Sequence, residues 1–136
     1  VRIGFTGTRR GMTTKQLEAL TNILEVEEPD VFVHGDCVGA DAQAHVVAKE
    51  LGWHVEIYPC NFERARAHCE GDYIAAPQDP LRRNEVIVRC TEILIATPNE
   101  RIEVQRSGTW STIRCARRID RPRAILWPQG GWIWEA

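Results

Sequence analysis

Val31-Phe32-Val33-His34-Gly35-Asp36-Cys37-Val38-Gly39-Ala40-Asp41 is the stretch that decides the fold class. Residues 31 to 34 are the β-branched and aromatic types that fit a pleated surface. Gly35 and Gly39 break the strand, and a helix begins at about Ala40. Ala44, Val47, Ala48 and Leu51 then fall on one helical face, and Gly52 supplies a left-handed stop. A strand that turns through glycines into an amphipathic helix is a βα unit, and repeated βα units build a parallel sheet.

The same alternation extends in both directions. Upstream, residues 2 to 6 form a strand, Thr6-Gly7-Thr8-Arg9-Arg10-Gly11 a turn, and residues 14 to 26 a helix carrying Leu17, Leu20, Ile23 and Leu24 before Pro29. Downstream, His54 to Tyr58 is a strand that Pro59 ends. Residues 59 to 78 are a polar, irregular excursion with one possible helical turn at Glu63 to Cys69. Asp79-Pro80 starts a helix that runs to about Cys90, aspartate capping and proline preset at the first helical position. Glu92 to Ala96 is a strand, Thr97-Pro98 opens a loop, and Thr109 or Ser107 caps a last helix over residues 110 to 118. Arg123 to Trp127 gives a fifth strand and the Gln129–Trp134 tail a possible edge strand. The expectation is α/β: one domain over residues 1 to 136, with a mainly parallel five- or six-stranded sheet and helices on both faces.

Composition narrows the partners. The 136 residues are 43% hydrophobic and 26% charged, ordinary globular usage, so disordered and low-complexity classes drop out. A formal net charge of -2 provides no global positive field for nucleic acid or anionic lipid, so any anion site is local. The longest apolar runs fall far short of the ~20 residues of a spanning helix, which argues against a membrane partner. The chain enters a strand at once instead of a basic and apolar leader, and its five cysteines are odd in number without CxxC spacing. A reduced, cytoplasmic protein is expected.

In parallel sheets ligands bind at the C-terminal ends of the strands, and the unusual residues gather there. Gly7 and Gly11 let the first turn approach an anion that Arg9 and Arg10 can fork, although taken alone the motif favours a tight βα turn with solvated arginines. Gly35 and Gly39 precede a helix N-terminus, where free amides attract phosphate, and Asp41 suits either the helix dipole or a ribose hydroxyl. The spacing is neither G-x-G-x-x-G nor a Walker A loop. Ser107-Gly108-Thr109-Trp110-Ser111-Thr112 sets four hydroxyls at another helix start, and Trp110 could stack on a base. Arg82-Arg83-Asn84 is electrostatically odd, because cations are disfavoured at the positive end of a helix. A bound anion would offset that misfit. His34, Cys37, Asp41 and His45 lie close in sequence but specify no tetrahedral metal set, and Cys37 beside His34 or His45 is only a weak nucleophile candidate. Neither a metal nor a cofactor is expected. Trp127, Trp132 and Trp134 are expected to close the core or a contact between subunits.

Four motifs in register resemble the SLOG superfamily, the Rossmann-like group of Smf/DprA and LONELY GUY proteins, with the small YspA-type branch nearest. They are Gly7-Thr8-Arg9, His34-Gly35-Asp36-Cys37-Val38-Gly39-Ala40-Asp41, Arg83-Asn84 and Ser107-Gly108-Thr109, over about residues 1 to 127. The resemblance implies a Rossmann-like three-layer sandwich holding a nucleotide-derived ligand. Gly35, Gly39, Ser107, Gly108 and Thr109 would cradle phosphate, Arg9 and Arg83 would neutralise it, and Asp41 would touch a sugar. The resemblance also implies a homo-oligomer. In LONELY GUY enzymes a P-G-G-x-G-T-x-x-E loop supplies a glutamate for N-glycosidic cleavage, and here Thr112 stands in that place. Threonine cannot act as that carboxylate, which leaves Asp36 or Asp41 as substitutes and makes binding the leading expectation. A LONELY GUY-like hydrolase is the alternative. Single-stranded DNA binding, as in the Smf/DprA branch, would rest on Arg114, Arg117, Arg118, Arg121 and Arg123.

Overall fold

A computed structural model describes all residues from Val1 to Ala136. Seven strands and four α-helices follow one another as β1 (Arg2–Gly7), α1 (Thr14–Val26), β2 (Val31–His34), α2 (Ala40–Glu50), β3 (His54–Ile57), β4 (Tyr73–Ile74), α3 (Pro80–Arg89), β5 (Ile93–Thr97), α4 (Gly108–Arg118), β6 (Arg123–Leu126) and β7 (Trp132–Glu135). They form one sheet in the order β4-β3-β2-β1-β5-β6-β7. All pairings are parallel except β6 with β7. The architecture is the expected α/β sandwich. The sheet gains a strand over the expectation because Tyr73 and Ile74, inside the irregular excursion, pair with Glu56 and Ile57. Two residues carry no period that could announce a strand. No helix is long and apolar enough to cross a membrane.

The sheet is buried on both faces, so neighbouring residues of one strand serve different cores. Phe32, Ile95 and Leu126 pack with Leu20 and Leu24 of α1 and Ala44 and Ala48 of α2. Val33 and Leu94 pack with Ile87 and Val88 of α3 and Cys115 and Ala116 of α4, and Ile125 with Trp110 and Ile113. Gly4 sets how closely α3 approaches: a Cβ there would lie 2.8 Å from Thr91 Oγ1.

Helix boundaries follow the capping chemistry. Thr13 and Gln16 form a reciprocal capping box before α1, and Asp79 accepts from the Arg82 amide at 3.1 Å before Pro80. For α4 the cap is Ser107, whose Oγ accepts from the Trp110 amide, so the helix starts at Gly108 rather than Trp110. The expected helical turn after Pro59 is a short 3-10 turn at Glu63–Ala65. Trp127 is buried, whereas Trp132 and Trp134 stand about half-exposed on the edge strand β7.

Candidate functional site

The strand order reverses direction between β1 and β5, because the chain winds outward through β2, β3 and β4 on one side and through β6 on the other. A crevice opens at the carboxyl ends of strands where connections diverge in this way. Here it is a cleft of about 390 Å³. Its walls are the β1–α1 turn (Gly7, Thr8, Arg9, Arg10), the β2–α2 turn (Gly35, Cys37) with Asp41, the first turn of α3 (Pro80, Arg83, Asn84) and the end of the β5–α4 loop (Arg106 to Thr109).

Arg83 defines the cleft electrostatically. Its side chain is 6% exposed, and no carboxylate pairs with it. Nη1 donates to the carbonyl oxygens of Gly35 at 2.7 Å and Tyr58 at 3.4 Å, Nε to Asn84 Oδ1 at 2.8 Å, and Nη2 to Cys37 Sγ at 3.6 Å. The ion pairs of the molecule lie elsewhere, for example Arg2 with Glu56 and Arg66 with Asp36. Arg9, Arg10 and Arg106 also line the cleft without a carboxylate partner. The amides of Gly108 and Thr109, at the start of α4, have no intrahelical acceptor. Guanidinium groups and open amides thus face the same space, which is the chemistry of an anion site.

Asp41 is the acidic counterpoint. Burial pushes its carboxyl up to about 6, against the opposing effect of the Cys37 amide, which donates to Oδ2 at 3.0 Å. Burial likewise pushes the Cys37 thiol up to about 11, so it is no ready thiolate nucleophile.

Gly7, Thr8, Arg9, Arg10, Gly35, Asp41, Arg83, Asn84, Ser107, Gly108 and Thr109 therefore meet around one cleft. Five other sequence candidates stand apart from it. Asp36 is fully buried with its carboxylate turned to the excursion, where it accepts from Arg66 Nε at 3.1 Å and the Cys69 amide at 2.9 Å, so it cannot serve as an acid or base in the cleft. Gly39 and Ala40 hold the first two turns together: the Ala40 amide donates to the Thr8 carbonyl at 3.0 Å, and Gly39 has φ +90° with Arg9 Cα 2.8 Å from where a Cβ would stand. Trp110 packs beside Trp127 in the core and is closed to base stacking. Thr112 Oγ1 bonds the Gly108 carbonyl within α4.

Arg106, Asn99, Glu100 and Cys37 line the cleft and went unnoticed as ligand contacts. Arg106 directly precedes Ser107-Gly108-Thr109, and that adjacency was the available signal. The arginines at the far end of α4 are neutralised in part: Arg114 pairs with Glu103, Arg117 with Glu103 and Glu135, and Arg123 with Glu135. These three form a structural network, whereas Arg118, exposed at the end of α4, and Arg121 pair with no carboxylate, so only part of the basic cluster is neutralised. His34 and His45 converge with Cys69, not with Cys37 or Asp41.

With this geometry in place, solved structures show what the chain resembles. The fold is Rossmann-like. A molybdenum cofactor binding protein from Rippkaea orientalis superposes with a TM-score of 0.72 at 20% identity, over 92% of this chain and 75% of that one. DNA processing protein A from Helicobacter pylori gives 0.65 at 17% identity, over 93% of this chain and 65% of that one. Its counterpart from Streptococcus pneumoniae gives 0.63 at 18% identity, over 93% and 49%. The chain thus spans less than two thirds of either DNA processing protein. No protein-family model and no curated protein sequence matches it. At 17–20% identity these likenesses are likenesses of fold.

Proposed function

We propose that the cleft binds a phosphorylated nucleoside or another nucleotide-derived anion, and that the chain is a sensor, carrier or sequestering module of the SLOG type, nearest its YspA-like branch. The observation that carries this reading is the buried Arg83 guanidinium without a carboxylate, facing the cleft that Arg9, Arg10 and Arg106 also line. A buried unpaired cation is costly, and an anionic guest offsets that cost. The free first-turn amides of α4 add a neutral phosphate cradle. A volume of about 390 Å³ suits a small nucleotide, near the lower end of the usual range for ligand sites. That one structural neighbour is a molybdenum cofactor binding protein agrees with this use of the fold.

Calorimetry against nucleoside 5′-monophosphates, ADP-ribose forms and cyclic signalling nucleotides tests the reading. Saturable heat that disappears in Arg83→Ala is expected, and silence across the whole panel refutes it.

A second reading, N-glycosidic hydrolysis of a nucleoside 5′-monophosphate, is favoured by Asp41, a cleft carboxyl raised toward the range of a general acid. Chromatography of the ligand after long incubation separates the two: release of free base, lost in Asp41→Asn, selects the hydrolase. For self-association, the half-exposed Trp132, Ile133 and Trp134 on β7 offer an apolar edge, and light scattering of Trp134→Ser against the unaltered chain measures its part.

A further inference from the structure

The polar groups along the cleft are turned one way. Arg83 Nε donates to Asn84 Oδ1 at 2.8 Å. A guanidinium can only donate, so that contact orients the amide: its oxygen faces Arg83, and Nδ2, with two N–H groups, has no partner in the chain. Ser107 Oγ accepts from the Trp110 amide at 3.2 Å and Thr8 Oγ1 from the Arg10 amide at 3.1 Å, which leaves each hydroxyl its proton to give. With the guanidiniums and the open amides of α4, these groups make a wall of donors.

Acceptors are scarce on that wall. The Thr8 carbonyl is taken by the Gly11 and Ala40 amides, that of Gly35 by Arg83 and that of Gly108 by Thr112 Oγ1. Asp41 is the buried carboxyl of the cleft, 5% exposed and in no ion pair, with Oδ2 accepting from the Cys37 amide at 3.0 Å. The other carboxyl, Glu100, is only partly buried and lies 3.5 Å from the amide of exposed Asn99.

A nucleobase finds little that is fixed. No tryptophan, tyrosine or histidine side chain lines the cleft, Phe5 is fully buried and Ile87 is 2% exposed. Of the two side-chain amides, Asn84 is turned by Arg83 and Asn99 is exposed, so neither is a buried reader with both donor and acceptor free for a base edge. A guanidinium face can stack on a base, but stacking tolerates every base alike.

We infer that the cleft recognises a sugar phosphate, the phosphorylated sugar end of its guest, with Asp41 accepting a hydrogen bond from a sugar hydroxyl, and that it does not distinguish the base beyond. The inference rests on the anion-binding reading and narrows it. Phosphate oxygens of a dianion only accept, which suits the donor wall. An ionised carboxyl repels such an anion and attracts a hydroxyl, so Asp41 lowers the affinity for a bare anion and favours one that carries a hydroxyl at the right distance.

Calorimetry tests this at roughly pH 8, above the value of about 6 at which Asp41 titrates, so that its carboxyl is ionised. Ribose 5-phosphate should bind within about tenfold of adenosine 5′-monophosphate, and the 5′-monophosphates of adenosine, guanosine, cytidine and uridine within about tenfold of one another. Inorganic sulfate, a dianion without a hydroxyl, should bind about tenfold or more weaker than ribose 5-phosphate, because a hydrogen bond to a charged group is missing. Asp41→Asn keeps an acceptor for the Cys37 amide and removes the charge, and there the preference for ribose 5-phosphate over sulfate should fall by about tenfold. A preference that persists unchanged in Asp41→Asn, or is absent from the unaltered chain, overturns the hydroxyl contact. A mononucleotide more than about tenfold tighter than ribose 5-phosphate, or two bases separated by more than that, overturns the inference while anion binding stands. Silence from the sugar phosphate, the nucleotides and sulfate together refutes the anion-binding reading and this one with it.

Discussion

Arg83 Nη1 donates to the Gly35 carbonyl oxygen at 2.7 Å, joining the first turn of α3 to the β2–α2 turn across 48 residues of chain. The contact is possible because residue 35 has no side chain: a Cβ there would stand 2.9 Å from Arg83 Cζ. Gly35→Ala should therefore displace the guanidinium while leaving the sheet intact. An affinity loss of about tenfold or more for a nucleoside monophosphate, worth ~1.4 kcal/mol, is expected by calorimetry with little change in the circular dichroism spectrum.

Asp41 trades stability for its place in the cleft. Its folded-state value of about 6 lies above the ordinary 3.8, so the folded state binds the proton more tightly than the unfolded chain. The stability this contributes is complete below 3.8 and is lost as the pH rises to about 6. Asp41→Asn keeps an acceptor for the Cys37 amide and removes the ionisation. Urea denaturation at neutral pH should show a gain on the order of 2 kcal/mol that fades in acid.

The sign is opposite at Glu135, whose carboxyl Arg117 and Arg123 hold down at about 2, below its ordinary 4.5. Its contribution is present above 4.5 and disappears as the pH falls through about 2. Glu135→Gln leaves Arg123 without a carboxylate and Arg117 with Glu103 alone, and should cost on the order of 1 kcal/mol at neutral pH, with no penalty in strong acid.

Close approach of α3 to the sheet makes Gly4 intolerant of any side chain, since Thr91 and Ile87 occupy the space. Gly4→Ala should destabilise by about 1–3 kcal/mol in chemical denaturation, the overpacking range. Anion affinity at the distant strand ends should survive in the folded fraction.

Much of the fold was legible because its signals are local. Val31 to His34, the glycines after it and the apolar spacing of α2 each act within one turn of chain, and Asp79-Pro80 carries its own cap. Turn chemistry likewise placed Gly7 to Arg10, Gly35, Arg83 and Ser107 to Thr109 at strand ends, which a parallel sheet must gather on one edge. What local chemistry could not reveal is which way each side chain turns. Asp36 and Asp41 lie five residues apart and look interchangeable in sequence, yet one grips the excursion and the other lines the cleft. Trp110 follows Thr109 directly but sits on the core side of α4. The two-residue β4, the Arg106 wall and the meeting of His34 with His45 and Cys69 depend on segments brought together only when the sheet is complete. Sequence by itself determined the alternation of elements and the chemistry of the turns, because hydrophobic period and capping are properties of neighbouring residues. The tertiary structure alone decided which polar groups share a space, because burial and hydrogen-bond partners come from segments distant along the chain.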